Sequence, residues 1–198
     1  MKALGKLLMI SRKFLVLLGK IEMALAVGLL FLIVACIGTQ VFTRYVFNYP
    51  IIWIEEISVY SFIWGVFIGA AAGLKYNRHI SIQWVTPKAS MFTKNCLAAI
   101  GHLVTLILVI IILPAALTVM GVEGRSMTTA LPIMLPRSLF YSVPFFVGMA
   151  SMGLTAIHMF LEHLLAMFTG QQVEPILAYF SHDEDLREAE KVLEGVAS

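Results

Sequence analysis

Charge is scarce in this sequence. Only 13% of its 198 residues are Asp, Glu, Lys or Arg, and 60% are apolar; an average soluble domain is about a quarter charged and about half apolar. The mean hydropathy is +0.89. That balance points to lipid as the solvent. The formal net charge of +2 says little by itself, and nothing indicates nucleic acid as a partner. The two cysteines, Cys36 and Cys96, lie in or beside apolar runs, so no disulfide framework or secreted fold is indicated. They read as small apolar side chains facing lipid or a helix neighbour. A nucleophile elbow, a phosphate loop and a Cys-x-x-Cys pair are all missing. Internal repeats of useful length and low-complexity segments are missing too. Catalysis and cofactor binding therefore have no visible support.

What is present is four apolar runs. A span needs roughly 20 residues, because a helix rises about 1.5 Å per residue across about 30 Å of hydrocarbon. The expected spans are 23–43, 51–74, 96–122 and 138–161. The first is uncharged, the second carries Glu55 and Glu56 near its start, the third holds His102 and Pro114, and the fourth has His158 near its end. Pro114 predicts a tilt or kink in the overlong third span. The lysines, apolar stretch, Ala24 and Ala26 at the start resemble a signal peptide. The apolar run continues to Thr43, however, and so reads as an uncleaved span. The fold class expected is an all-α integral membrane protein.

Cations flanking the spans predict the orientation. Lys2, Lys6, Arg12, Lys13 and Lys20 precede the first span, and Lys75, Arg78, Lys88 and Lys94 fall in the second loop. The first loop has Arg44 and the third has Arg125 and Arg137. Both termini inside puts nine cations on the cytoplasmic side against three outside, before Arg187 and Lys191 of the tail are counted.

Three segments are expected outside the hydrocarbon. Residues 1–22 read as an interfacial amphipathic helix, with Lys2, Lys6, Lys13 and Lys20 on one face and Leu4, Leu7, Leu8, Phe14, Leu15 and Leu18 on the other. An ordinary positively charged flank that happens to be helical is the plainer alternative. Residues 76–95 are too short and polar to span; Trp84 and Arg78 suit the interface, and Pro87 divides the segment into two short surface pieces. Beyond the membrane domain of residues 23–165, residues 166–198 form an acidic cytoplasmic tail, with Ser181 and Glu184 as a capping box for a short helix.

The most informative side chains cluster on the second span. Asn48 and Pro50 read as helix-start signals, which puts Glu55 and Glu56 near the positive end of a helix dipole. Three roles are open to the acids: stabilising that helix start, with Arg44 as a partner; a contact between subunits; or an ion site. A third acid or an inward-placed cation to complete a relay is not visible. On the same helix Ser58, Ser61, Gly65, Gly69, Ala72 and Gly73 form a small-residue stripe. Trp53, Tyr60, Trp64 and Phe67 gather opposite. Gly65-x-x-x-Gly69-x-x-x-Gly73 would let another helix approach closely. His158, Glu162 and His163 do not have the spacing of a helical metal motif, and no metal is expected. His79 reads as a hydrogen-bonding loop residue.

The run Arg44-Tyr45, Trp53-x-Glu55-Glu56, Tyr60, Trp64, Phe67-x-Gly69-Ala70-Ala71, His79-Ile80-x-Ile82 resembles the small membrane subunit of tripartite ATP-independent periplasmic (TRAP) transporters. Thr129-Ala130-Leu131, Pro136, Tyr141 and Pro144 resemble that family's approach to its fourth helix. The resemblance covers roughly residues 20–165. Gln83 stands where the family often has an acid.

The resemblance implies a periplasmic solute-binding protein that delivers an organic acid, such as a sialic acid or a dicarboxylate. It implies a large multi-spanning subunit that carries substrate and sodium sites and moves as an elevator. The small subunit would sit in the bacterial inner membrane as a fixed brace. The residues agree, since a chain moving its own anion should show buried cations or broken helices at mid-membrane, and Lys and Arg are missing from all four expected spans. A self-sufficient carrier or channel working as an oligomer is the competing function; a membrane enzyme using His158 and Glu162 is a third.

Overall fold

The computed structural model describes residues 2–76, 90–129, 131–169, 173, 176 and 177, with side chains from Leu8 onward. Among them, most residues lie in four long helices: α1 Lys2–Val46, α2 Ile52–Lys75, α3 Met91–Glu123 and α4 Ser142–Thr169. Each is long and apolar enough to cross a membrane. The expected surface pieces of the second loop, with Arg78, His79 and Trp84, lie outside the described residues. So do the side chains of Lys2 and Lys6 and the capping box at Ser181.

α1 departs most from expectation. The interfacial helix and the first span are one uninterrupted helix of 45 residues, about 67 Å long and over twice the hydrocarbon thickness. The composition changes near residue 22, but no proline interrupts the backbone ladder between Lys2 and Val46. The helix ends at Asn48, whose φ is +52°. Tyr49 N–H then reaches back to the Thr43 carbonyl at 3.3 Å, the closing bond of a left-handed C-terminal turn. Asn48 is thus a helix stop, not a helix start. Ile51 precedes α2 without a side-chain cap.

α3 begins five residues before its expected span. Ser90 caps it, its hydroxyl accepting from Thr93 N–H at 3.3 Å. The helix runs on through Pro114. α4 begins four residues later than expected and continues to Thr169, past the expected domain boundary at 165. Pro144 sits in its first turn, where the missing N–H would have no intrahelical partner. Between α3 and α4 the chain makes a tight hairpin, with a bridge between Met127 and Pro136. Arg137 N–H donates to the Ser126 carbonyl at 2.8 Å.

The helices stand in a row, α1 against α2, α2 against α4 and α4 against α3. α1 meets α4 through side chains of its N-terminal half, Ser11 with His158 and Glu22 with Ser151. Two glycines of α4 set the close approaches. A Cβ on Gly148 would stand 2.8 Å from the Phe67 carbonyl oxygen of α2, and one on Gly153 would stand 3.0 Å from Val109 of α3. A row leaves both broad faces apolar and open, with Phe31, Val34, Ile110, Ile111 and Leu154 all exposed. That is the surface lipid or another membrane protein covers.

Candidate functional site: two polar clusters and an open helix face

The aromatic residues expected to lie opposite the small-residue stripe turn toward the chain's own core. Tyr60 is buried and stacks on Phe140 with centroids 4.0 Å apart. Tyr141 meets Tyr60 edge-on at 5.7 Å, and Phe67 meets Phe145 edge-on at 5.1 Å. Trp64 Nε1 donates to the Leu139 carbonyl at 3.2 Å. This side of α2 therefore holds α4 and the turn before it. Trp53, by contrast, is exposed.

The stripe divides. Ser61 and Ala72 are buried, and Gly65 lies under Leu29 of α1 at 3.8 Å. Gly69 and Gly73 have nothing within 4 Å of a built Cβ. The small residues that bring helices together inside this chain are Gly148 and Gly153, which sequence reasoning did not single out. Gly69 and Gly73 are left without a close neighbour among the described residues.

Glu55 and Glu56 sit at the far end from the N-terminus. Glu55 accepts from Gln40 Nε2 of α1 at 3.4 Å, so its partner is Gln40 and not Arg44, which is exposed. Glu56 accepts a hydrogen bond from the Tyr60 hydroxyl one turn on. Close by, Ser142 donates to Glu123, and the Arg137 guanidinium lies 5.3 Å from the Tyr141 ring centroid. These polar groups knit the ends of α2, α3 and α4 together.

The second cluster corrects the sequence reading. Lys75, counted there as a loop cation, is the last residue of α2 and its side chain is 0% exposed. Its Nζ lies 2.7 Å from Glu22 Oε2 of α1 and 2.7 Å from Ser151 Oγ of α4. Ser151 also donates to Glu22. Three helices thus meet on one buried ion pair and one hydroxyl, and an inward-placed cation does exist. A buried pair persists only where the two charges satisfy each other and the remaining lone pairs find donors, as Ser151 does here.

Further along α4, His158 Nδ1 is 2.9 Å from Ser11 Oγ, and Glu162 Oε1 is 3.3 Å from both Arg12 Nη1 and His158 Nε2. His163 Nδ1 is 3.3 Å from Asn95 Oδ1 of α3, with the His102 ring 5.5 Å away in a near-parallel stack. Among the described residues no group of three His, Cys, Asp or Glu could hold a metal ion. Lys13 and Lys20, expected as membrane anchors, are exposed.

Between the two clusters the described polar side chains turn back on their own helices. Thr39, Ser58, Thr105, Thr118 and Thr155 each donate to the carbonyl four residues earlier. No continuous polar lining joins one end of the row to the other among the described residues. The arrangement ties helices together.

Comparison with known proteins bears on this arrangement. The profile of a family described as "Tripartite ATP-independent periplasmic transporters, DctQ component" matches residues 33–166, from the middle of α1 almost to the end of α4. A Haemophilus influenzae protein named as a candidate TRAP transporter small permease protein is 35% identical over 83 residues. That match takes in 42% of this chain and 52% of the relative, so the chain spans about half the length of the relative it matches.

Proposed function

The chain belongs to the DctQ-component family of the tripartite ATP-independent periplasmic transporters, and from that premise we propose that it braces the large membrane subunit of a sodium-driven organic-acid importer. The family is a transporter component, not an enzyme, and four apolar helices make this member a multi-pass membrane protein. The proposed setting is the bacterial inner membrane with both termini in the cytoplasm, as the flanking cations favour. A periplasmic binding protein supplies the substrate, and the large subunit carries the substrate and sodium sites.

One observation carries the bracing role: the described polar side chains bond mostly to one another within the chain or back to their own helix, and the exposed helix surfaces are largely apolar. Such a body cannot readily solvate an anion in transit, but it can stand beside a moving neighbour. The open Gly69–Gly73 edge of α2 is the proposed contact with the large subunit, because small residues let a second helix approach closely. Co-purification in mild detergent tests the reading. A large, very hydrophobic partner should come down with this chain; a chain that is isolated alone from membranes in which the large subunit is abundant speaks against it.

A further inference from the structure

The described residues beyond α4 return to the bundle. Ile176 is 0% exposed and Leu177 3%. Ile176 packs into one cluster with Leu15 and Val16 of α1 and Met159 of α4, and Val173 and Leu18 lie against it. The backbone N–H of Leu177 donates to the Lys75 carbonyl at 3.3 Å, one of the carbonyls the last turn of a helix leaves without an intrahelical partner. Gly19 shows how tight the junction is. A Cβ built there would stand 2.9 Å from Leu177 Cδ1 and 2.9 Å from Lys75 Cδ. The expected water-soluble tail thus begins with a piece of core.

The row steps at this junction. α2 stops at Lys75, whereas α1 and α4 run on side by side, joined by Ser11 to His158 and Arg12 to Glu162. The buried Glu22–Lys75 pair sits at the step, with Gly19, the only glycine between Lys6 and Val27, less than one turn away in α1.

We propose that Val173, Ile176 and Leu177 act as a strap that closes the α1–α2–α4 junction, and that releasing it exposes the junction to water and loosens the N-terminal third of α1 from α4. Among the described residues three aliphatic side chains and one backbone hydrogen bond hold it, so a modest perturbation can detach it without dismantling the four helices. The strap belongs to this chain, and its action does not depend on which transporter subunit is bound.

The test uses the full-length chain with Cys36→Ser and Cys96→Ser, carrying Val16→Cys as a reporter. Val16 is 5% exposed and lies beneath Ile176. A charged thiol reagent should label it slowly. Ile176→Asp with Leu177→Asp should raise the labelling rate tenfold or more. Gly19→Leu should do the same from the other side, because its side chain and Leu177 cannot share the space. A cysteine at exposed position Leu17 should label equally in every background, which separates strap release from unfolding. Should the Asp pair unfold the protein, Ile176→Ala with Leu177→Ala is read in the same way and should give an intermediate rate. Labelling of Val16→Cys within twofold of the intact strap in the folded variants would overturn the proposal.

Discussion

Replacing Lys75 by methionine removes the cation from a site where three helices converge, and its effect follows from the geometry. At 2.7 Å from Glu22 and an effective dielectric of about 20, two unit charges attract by about 6 kcal/mol. Desolvating each ion costs several kcal/mol, so the intact pair contributes little net stability. Removing one member is different, because the survivor keeps its burial and loses its counter-charge. Lys75→Met leaves the Glu22 carboxylate with Ser151 alone, and the expected loss is about 3–5 kcal/mol. Glu22→Leu should cost a similar amount. The double variant replaces both charges with apolar groups of comparable length, and should fall within about 1 kcal/mol of the parent. SDS-titrated unfolding in mixed micelles, followed by tryptophan fluorescence, measures all four corners of the cycle. Single variants that each cost under about 1 kcal/mol, with a double variant equal to their sum, would refute the burial and pairing on which this reasoning stands.

Gly148→Ala should destabilise the chain by about 1–3 kcal/mol, because its Cβ would press on the Phe67 backbone at 2.8 Å; Gly69→Ala should be nearly neutral in the same unfolding assay. Gly69→Leu should leave the isolated chain's stability unchanged yet lower the yield of large subunit in a pull-down, since among the described residues nothing lies within 4 Å of a Cβ built at that position. Glu55→Gln and Glu56→Gln should reduce transport in proportion to lost assembly, measured by uptake and co-purification on the same membranes. Normal assembly with failed sodium coupling would instead make these acids part of the ion path.

The four helices were legible because lipid as solvent demands long apolar runs, and the runs at 51–74 and 96–122 lie almost wholly within α2 and α3. The junctions were harder. Lys75 follows an apolar run and reads as a flanking cation, and Glu22 precedes one. Their pairing depends on how two helices cross, although one signal was available: they stand 26 and 27 residues either side of Tyr49, in antiparallel register about the α1–α2 turn. The glycines that pack inside the chain were hidden for a related reason. Gly65, Gly69 and Gly73 form a regular spacing that catches the eye, whereas Gly148 and Gly153 look ordinary until α4 is placed between two neighbours. The continuity of α1 was hidden by a shift in composition near residue 22 that changes the surface of the helix but not its backbone bonding. Ile176 and Leu177 open a short apolar run, Ile176 to Phe180, in an otherwise acidic tail, and a run of five residues is too short to show a periodicity that would reveal which of them are buried.

Uptake into proteoliposomes tests the central claim most directly. The chain alone, with a sodium gradient, binding protein and a labelled organic acid, should show no accumulation above empty liposomes, and adding the large subunit should restore it. Sodium-driven accumulation by this chain without the large subunit would contradict the account.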